Sequence, residues 1–175
     1  MSTRSSLSPF GVLHTSALSL YAGLAIGNMI YAATALSDMP AVVGYHFSES
    51  GGFDLYGSKY ISFLHPIIAE IILLALFALL IVGAYRARPL KRLTPAGNRR
   101  LTTIGVALLD LLSLLIVALF SHWIYCVANQ TPLHTDLVLA LSSIAAIAIA
   151  LYAFIIFVTI ILARMRQIRA KGSEA

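Results

Sequence analysis

Four apolar stretches, at residues 11–37, 60–85, 101–127 and 137–163, set what this chain can become. Each exceeds the ~20 residues that a helix needs to cross ~30 Å of hydrocarbon at 1.5 Å per residue. A backbone in lipid must satisfy its own hydrogen bonds, and a helix does so within one segment. The sequence therefore predicts an all-α integral membrane protein, a four-helix bundle with short connections. Composition excludes the soluble alternative. Only 11% of residues are charged, against roughly 25% in ordinary soluble domains, which is too few to coat a globule in water. Arg4 ahead of the first stretch raises the option of a cleaved signal peptide, but the run outlasts a typical signal core, so it is read as a span.

Basic residues set the orientation. Arg86, Arg88, Lys91, Arg92, Arg99 and Arg100 crowd the connection between the second and third stretches. Arg164, Arg166, Arg169 and Lys171 follow the fourth, and Arg4 precedes the first. Lys59 alone falls on the opposite side, with Asp38, Glu49, Asp54 and Asp136. By the positive-inside rule the basic side, with both termini, is cytoplasmic. The same rule, with the pull of anionic lipid headgroups, accounts for the pI near 9.6 without nucleic acid. Cys126 is the single cysteine, so an intrachain disulfide and Cys-based metal motifs are excluded.

The chain divides into a first module at 1–85, a basic cytoplasmic loop at 86–100, a second transmembrane hairpin at 101–163 and a basic tail at 164–175. Pro89, Pro95 and Gly97 punctuate the inner loop. Small residues recur at fourfold spacing as Ser19, Gly23 and Gly27 in the first helix and Ser142, Ala146 and Ala150 in the fourth. Such faces let helix backbones approach closely in lipid, and predict packing within the bundle or homodimerisation. His14 reads as an interfacial residue at the inner end, and Trp123 and Tyr125 as anchors at the outer boundary.

The outer segment 37–59 is the least lipid-like part of the chain. It reads as a loop that mixes turn formers (Pro40, Gly44, Gly51, Gly52, Gly57) with aromatics (Tyr45, Phe47, Phe53, Tyr56) and with His46, Glu49, Asp54, Ser58 and Lys59. Glycine allows backbone turns and aromatics suit the membrane–water boundary. A segment that merely solvates a connection needs neither in such number. His46, Phe47, Asp54, Tyr56, Ser58 and Lys59 are the candidate partner-binding residues.

Met39-Pro40, His46-Phe47, Gly51, Asp54, Gly57-Ser58-Lys59 and Pro66 resemble the N-terminal module of the SdpI-type bacterial membrane proteins. That module carries Leu-Pro, His-Phe or His-Trp, a glycine, Asp-x-x-Gly-Ser-Lys and a helix with an early proline. The resemblance covers roughly the first 80 residues. Gly44 and Phe53 stand where prolines are usual, and Ser48 where Asn is common. The resemblance implies a bacterial cytoplasmic membrane location and a role in immunity against a secreted peptide toxin. Members of the family are commonly longer, and the second hairpin has no counterpart in the pattern.

Two carboxylates, Glu70 and Asp110, lie well inside apolar runs. An intramembrane carboxylate costs a few kcal/mol on insertion scales, so it faces a bundle interior or a water-filled cavity. One reading makes them a proton- or ion-responsive site. The plainer one hydrogen-bonds them to a neighbouring helix, through Ser113, Ser121, Asn28 or Tyr31. His46, His65, His122, His134, Asp54, Glu70 and Asp136 form a pool of metal ligands on the outer side. A zinc site needs three or four of them converging near 2 Å from the ion, and His46, Asp54, His65 and Glu70 are the candidate set. No nucleophile, phosphate-loop or dinucleotide motif is present, so an enzyme is not expected. Three functions compete: a binding protein of the immunity type, an accessory subunit of a larger membrane complex, and a metal- or proton-responsive membrane site.

Overall fold

A computed structural model describes residues 9–91 and 93–172 of the chain. Its elements run α1 (Pro9–Ala35), β1 (Val42–Phe47), β2 (Phe53–Ser58), α2 (Lys59–Arg86), α3 (Pro95–Asn129) and α4 (Thr135–Gly172). All four helices are long and apolar enough to cross a membrane, and the chain is a multi-pass membrane protein. Arg4 and Arg92, two of the basic residues used above, lie outside the described residues.

The expected boundaries shift where local chemistry outweighs hydropathy. α3 starts at Pro95, inside the segment read as basic loop 86–100. Thr94 caps it, its hydroxyl accepting from the Gly97 amide at 3.1 Å, and Pro95 occupies the first turn, where a missing N–H is harmless. Asn98 then clips the connection shut, accepting from the Leu90 amide at 2.9 Å. α4 continues through the basic segment as far as Gly172.

α3 is the central element. α1, α2 and α4 each pack on it, α1 and α2 touch each other over a shorter contact, and among the described helices and strands α4 packs on α3 alone. The interior is thus a three-helix core with α4 on its flank. Val106, Asp110, Ser113, Val117, Phe120, Ile124 and Val127 form the buried stripe of α3. The buried residues of α1 are Tyr21, Ala25, Asn28 and Ala32.

The small-residue faces do not pack within the chain. Ser19, Gly23 and Gly27 are exposed, as are Ser142, Ala146 and Ala150. A Cβ added at Gly23 or Gly27 would meet nothing within 4 Å. The glycine that does allow a close approach is Gly105, where a Cβ would come within 2.5 Å of the Tyr152 hydroxyl of α4. Gly23→Leu is therefore expected to leave the unfolding free energy of detergent-solubilised monomer within roughly 0.5 kcal/mol of wild type. Gly105→Val should cost about 1 kcal/mol, at the low end of overpacking because a tyrosine tip can swing aside. Equal effects of the two substitutions would contradict this packing scheme.

The segment read as outer loop 37–59 holds the one departure from an all-α chain among the described residues. Two six-residue strands rich in valine and aromatics pair antiparallel, with Val42 opposite Ser58 and Phe47 opposite Phe53. The register slips twice, leaving Tyr45 unpaired on β1 and Asp54 unpaired on β2. Such paired bulges twist a hairpin and re-aim the side chains at the bulge. Gly51 makes the turn at φ +84°, a conformation that costs glycine little. Its carbonyl also accepts from the Leu133 amide at 2.8 Å, tying the turn to the α3–α4 link.

Candidate functional site

The hairpin sits on the end of the bundle and closes it. Val43 is almost fully buried and joins Ala32, Met39, Phe63, Ile124 and Val127 in one apolar cluster, with Phe47, Phe53 and Trp123 packed against it. The Phe47 and Phe53 rings stand 4.5 Å apart, and Phe47 meets Trp123 edge-on at 6.0 Å. Trp123, read as a boundary anchor, lies half-buried under the hairpin. Its indole N–H donates to the Tyr45 carbonyl at 3.2 Å, which satisfies the polar end of a large apolar ring.

A second brace comes from the end of α3. Gln130 terminates that helix in the left-handed conformation at φ 51°. Its side-chain oxygen accepts from the Gly44 amide at 2.9 Å, and its Nε2 donates to the Gly44 carbonyl at 3.3 Å and to the Val127 carbonyl at 2.7 Å. One glutamine thus caps a helix and pins a strand. Gln130→Ala should release the hairpin at a cost of about 1 kcal/mol. The measurable sign is faster amide hydrogen exchange over residues 42–58 with unchanged exchange in α2; protection retained across β1 would contradict it.

The six candidate partner-binding residues separate into two groups. His46, Asp54, Tyr56 and Ser58 are exposed on the hairpin. His46 Nδ1 and the Asp54 carboxylate pair at 2.6 Å, both about half exposed. The bulge at Asp54 turns that carboxylate towards His46 across the ladder. Phe47 and Lys59 point inward. The Lys59 ammonium donates to the Leu36 and Met39 carbonyls at 2.6 and 3.1 Å, and so holds the 36–39 turn against the start of α2. Val42 and Leu55, 62% and 50% exposed, complete the free face and are absent from the sequence-based set. Alternation would not have found Leu55, because Asp54, Leu55 and Tyr56 are exposed in succession beside the bulge.

The candidate metal set does not converge. His65 stacks on Tyr45 with ring centroids 5.8 Å apart, while Glu70 is buried in the helical core and accepts from Asn28 Nδ2 at 2.9 Å. Only His46 and Asp54 meet. Among the described residues no three His, Cys, Asp or Glu side chains cluster as metal ligands. The physical reason is the pleat: the hairpin sends His46 outward, whereas Glu70 faces α1. His122 and His134 stack at 5.4 Å, and His122 Nε2 accepts from the His134 backbone amide at 3.2 Å, closing the α3–α4 turn.

Both intramembrane carboxylates find partners on α1. Glu70 takes Asn28, one of the four partners its position leaves open. Asp110 takes His14, which donates from Nδ1 to the carboxylate at 2.8 Å. His14, at the basic end, is thus half-buried against α3. With Asn28 fourteen residues further along α1, the two polar pairs lie roughly 21 Å apart along its axis.

No family model, no curated protein and no solved structure matches this chain.

Proposed function

We propose that the chain is a bacterial cytoplasmic-membrane protein of the immunity type, without enzymatic activity, that engages a secreted peptide through its hairpin. In this reading the hairpin end faces outward. The basic end, with Arg86, Arg88, Lys91, Arg99, Arg100 and Arg164, lies against anionic lipid headgroups in the cytoplasm, in accord with the positive-inside rule. The observation that carries the proposal is a rigidly braced hairpin whose free face combines apolar and ionic groups. Val42, Leu55 and Tyr56 supply exposed apolar area, and the His46–Asp54 pair supplies charge and direction. Aromatic anchors ringed by polar groups are the usual composition of binding hot spots. Pre-organisation by Gln130, Trp123 and Gly51 lowers the ordering entropy that binding would otherwise cost.

The test is protection. Cells lacking the gene should become sensitive to peptide toxins of the same or neighbouring strains. The wild-type gene should restore resistance, and a Leu55→Ser, Tyr56→Ala variant that inserts normally should not. Unchanged sensitivity on deletion would count against the proposal. So would a tag placed after Ala175 that proved accessible from outside intact cells, since the hairpin would then face the cytoplasm.

A second reading, an accessory subunit of a larger membrane complex, is favoured by the two exposed small-residue faces on α1 and α4. Close-packing helices from another chain would fit there. Mild extraction that yields only monomer or homodimer would remove this alternative.

A further inference from the structure

Beside the hairpin, the last turns of α1, the 36–40 turn and the end of α3 line an open cavity of about 500 Å3. That volume lies within the range of small-molecule sites, which pair apolar walls with a few placed polar groups. Met39, Ala35 and Ala128 supply apolar wall, and Tyr31, Asn129 and Asp38 supply the polar groups. Asp38 is the only charged residue of the lining.

The polar groups are ordered by one another. Asn129 Nδ2 donates to the Tyr31 hydroxyl and to the Tyr125 carbonyl, both at 2.9 Å. Ser37 donates to Asp38 Oδ1 at 3.2 Å. Among the described residues Asp38 has no ion-pair partner. The ammonium of Lys59 is engaged by the Leu36 and Met39 carbonyls of the same turn. The cavity therefore offers a carboxylate without an ion-pair partner among the described residues, the Tyr31 hydroxyl and Asn129 amide beside it, and apolar wall from Ala35, Met39 and Ala128.

We propose that this cavity binds a primary ammonium group carried on an alkyl stem. An ammonium has three donors and no acceptor, which matches a carboxylate flanked by neutral oxygens. A lysine side chain of a peptide and the headgroup of phosphatidylethanolamine share the required chemistry. The inference rests on the outward-facing reading above only for the source of the amine.

The full chain in dodecyl maltoside micelles would be titrated calorimetrically with Nα-acetyl-lysine amide. Saturable one-site binding is expected, weakened at least about tenfold by Asp38→Asn and absent for the Nε-acetylated probe. Phosphatidylethanolamine added to the micelles marks the source: competition identifies the lipid headgroup, and its absence identifies a peptide. No saturable binding to wild type, or equal binding to Asp38→Asn, would overturn the site. The cellular protection assay is read separately. An Asp38→Asn protein that folds, lacks amine binding and still protects makes the site irrelevant to immunity, whereas amine binding without any protection removes the immunity reading alone.

Discussion

Asn28→Leu is expected to destabilise the detergent-solubilised protein by about 2–3 kcal/mol, the largest loss from any single substitution considered. Glu70 is 1% exposed, and Asn28 is the neighbour that donates to it. Truncating that donor leaves a carboxyl group in the core without its partner, and a buried polar group so stranded costs about 1–3 kcal/mol. Leucine also exceeds asparagine in bulk at a contact between α1 and α2. Glu70→Gln separates charge from hydrogen bonding. Glutamine keeps an oxygen where Asn28 donates, so if the bond is what matters the variant should stay within about 1 kcal/mol of wild type. Thermal unfolding of the two variants side by side decides the matter. A Glu70→Gln protein as unstable as Asn28→Leu would mean that the ionised carboxylate itself holds the helices together. An Asn28→Leu protein as stable as wild type would mean the pair contributes nothing.

The spans were legible because lipid imposes a length that only long apolar runs meet, and residues 60–85 and 101–127 fall almost wholly within α2 and α3. Helix ends were less legible where a cap outweighed hydropathy, as at Thr94-Pro95. The hairpin was hidden by its glycines. Gly44, Gly51, Gly52 and Gly57 look like looseness in a list, yet Gly51 makes one turn and Gly44 leaves room for the Phe53 ring, which a Cβ there would strike. The stronger signal was two six-residue runs of valine and aromatics separated by five residues ending in glycines, a hairpin pattern. The small-residue faces stay unpacked within the chain for a different reason: the spacing predicts a close-packing face without saying whose helix packs on it. The partner of Glu70 was within reach, since Asn28 stood among the four candidates. That of Asp110 was not, with His14 96 positions away in the chain. The trace it left was on α1 itself, where His14, Tyr21 and Asn28 recur every seven residues, close to two full helical turns, and so share one face.

That face makes the second expectation concrete. His14→Ala should destabilise the protein by about 1–3 kcal/mol, because Asp110, nearly buried on α3, loses the imidazole that contacts both of its oxygens at 3.0 and 2.8 Å. The effect should fall below that of Asn28→Leu, since the His14 side chain is 20% exposed and water can reach part of the vacated site. Asp110→Asn retains an acceptor for His14 and should cost less, near the ~0.6 kcal/mol average for interhelical hydrogen bonds in membranes. The decisive quantity is the coupling in a cycle of His14→Ala, Asp110→Ala and the double variant, because His14→Ala also removes the ring contacts with Phe10 and Tyr85. Coupling of about 1 kcal/mol or more places the pair among contacts that clamp α1 to α3. A cycle that closes to within experimental error would show two independent residues, and the basic end of α1 would then be held by its apolar contacts alone. His14→Gln extends the comparison: an amide that can donate to Asp110 should recover part of the lost stability, whereas Leu at 14, of similar bulk without a donor, should not.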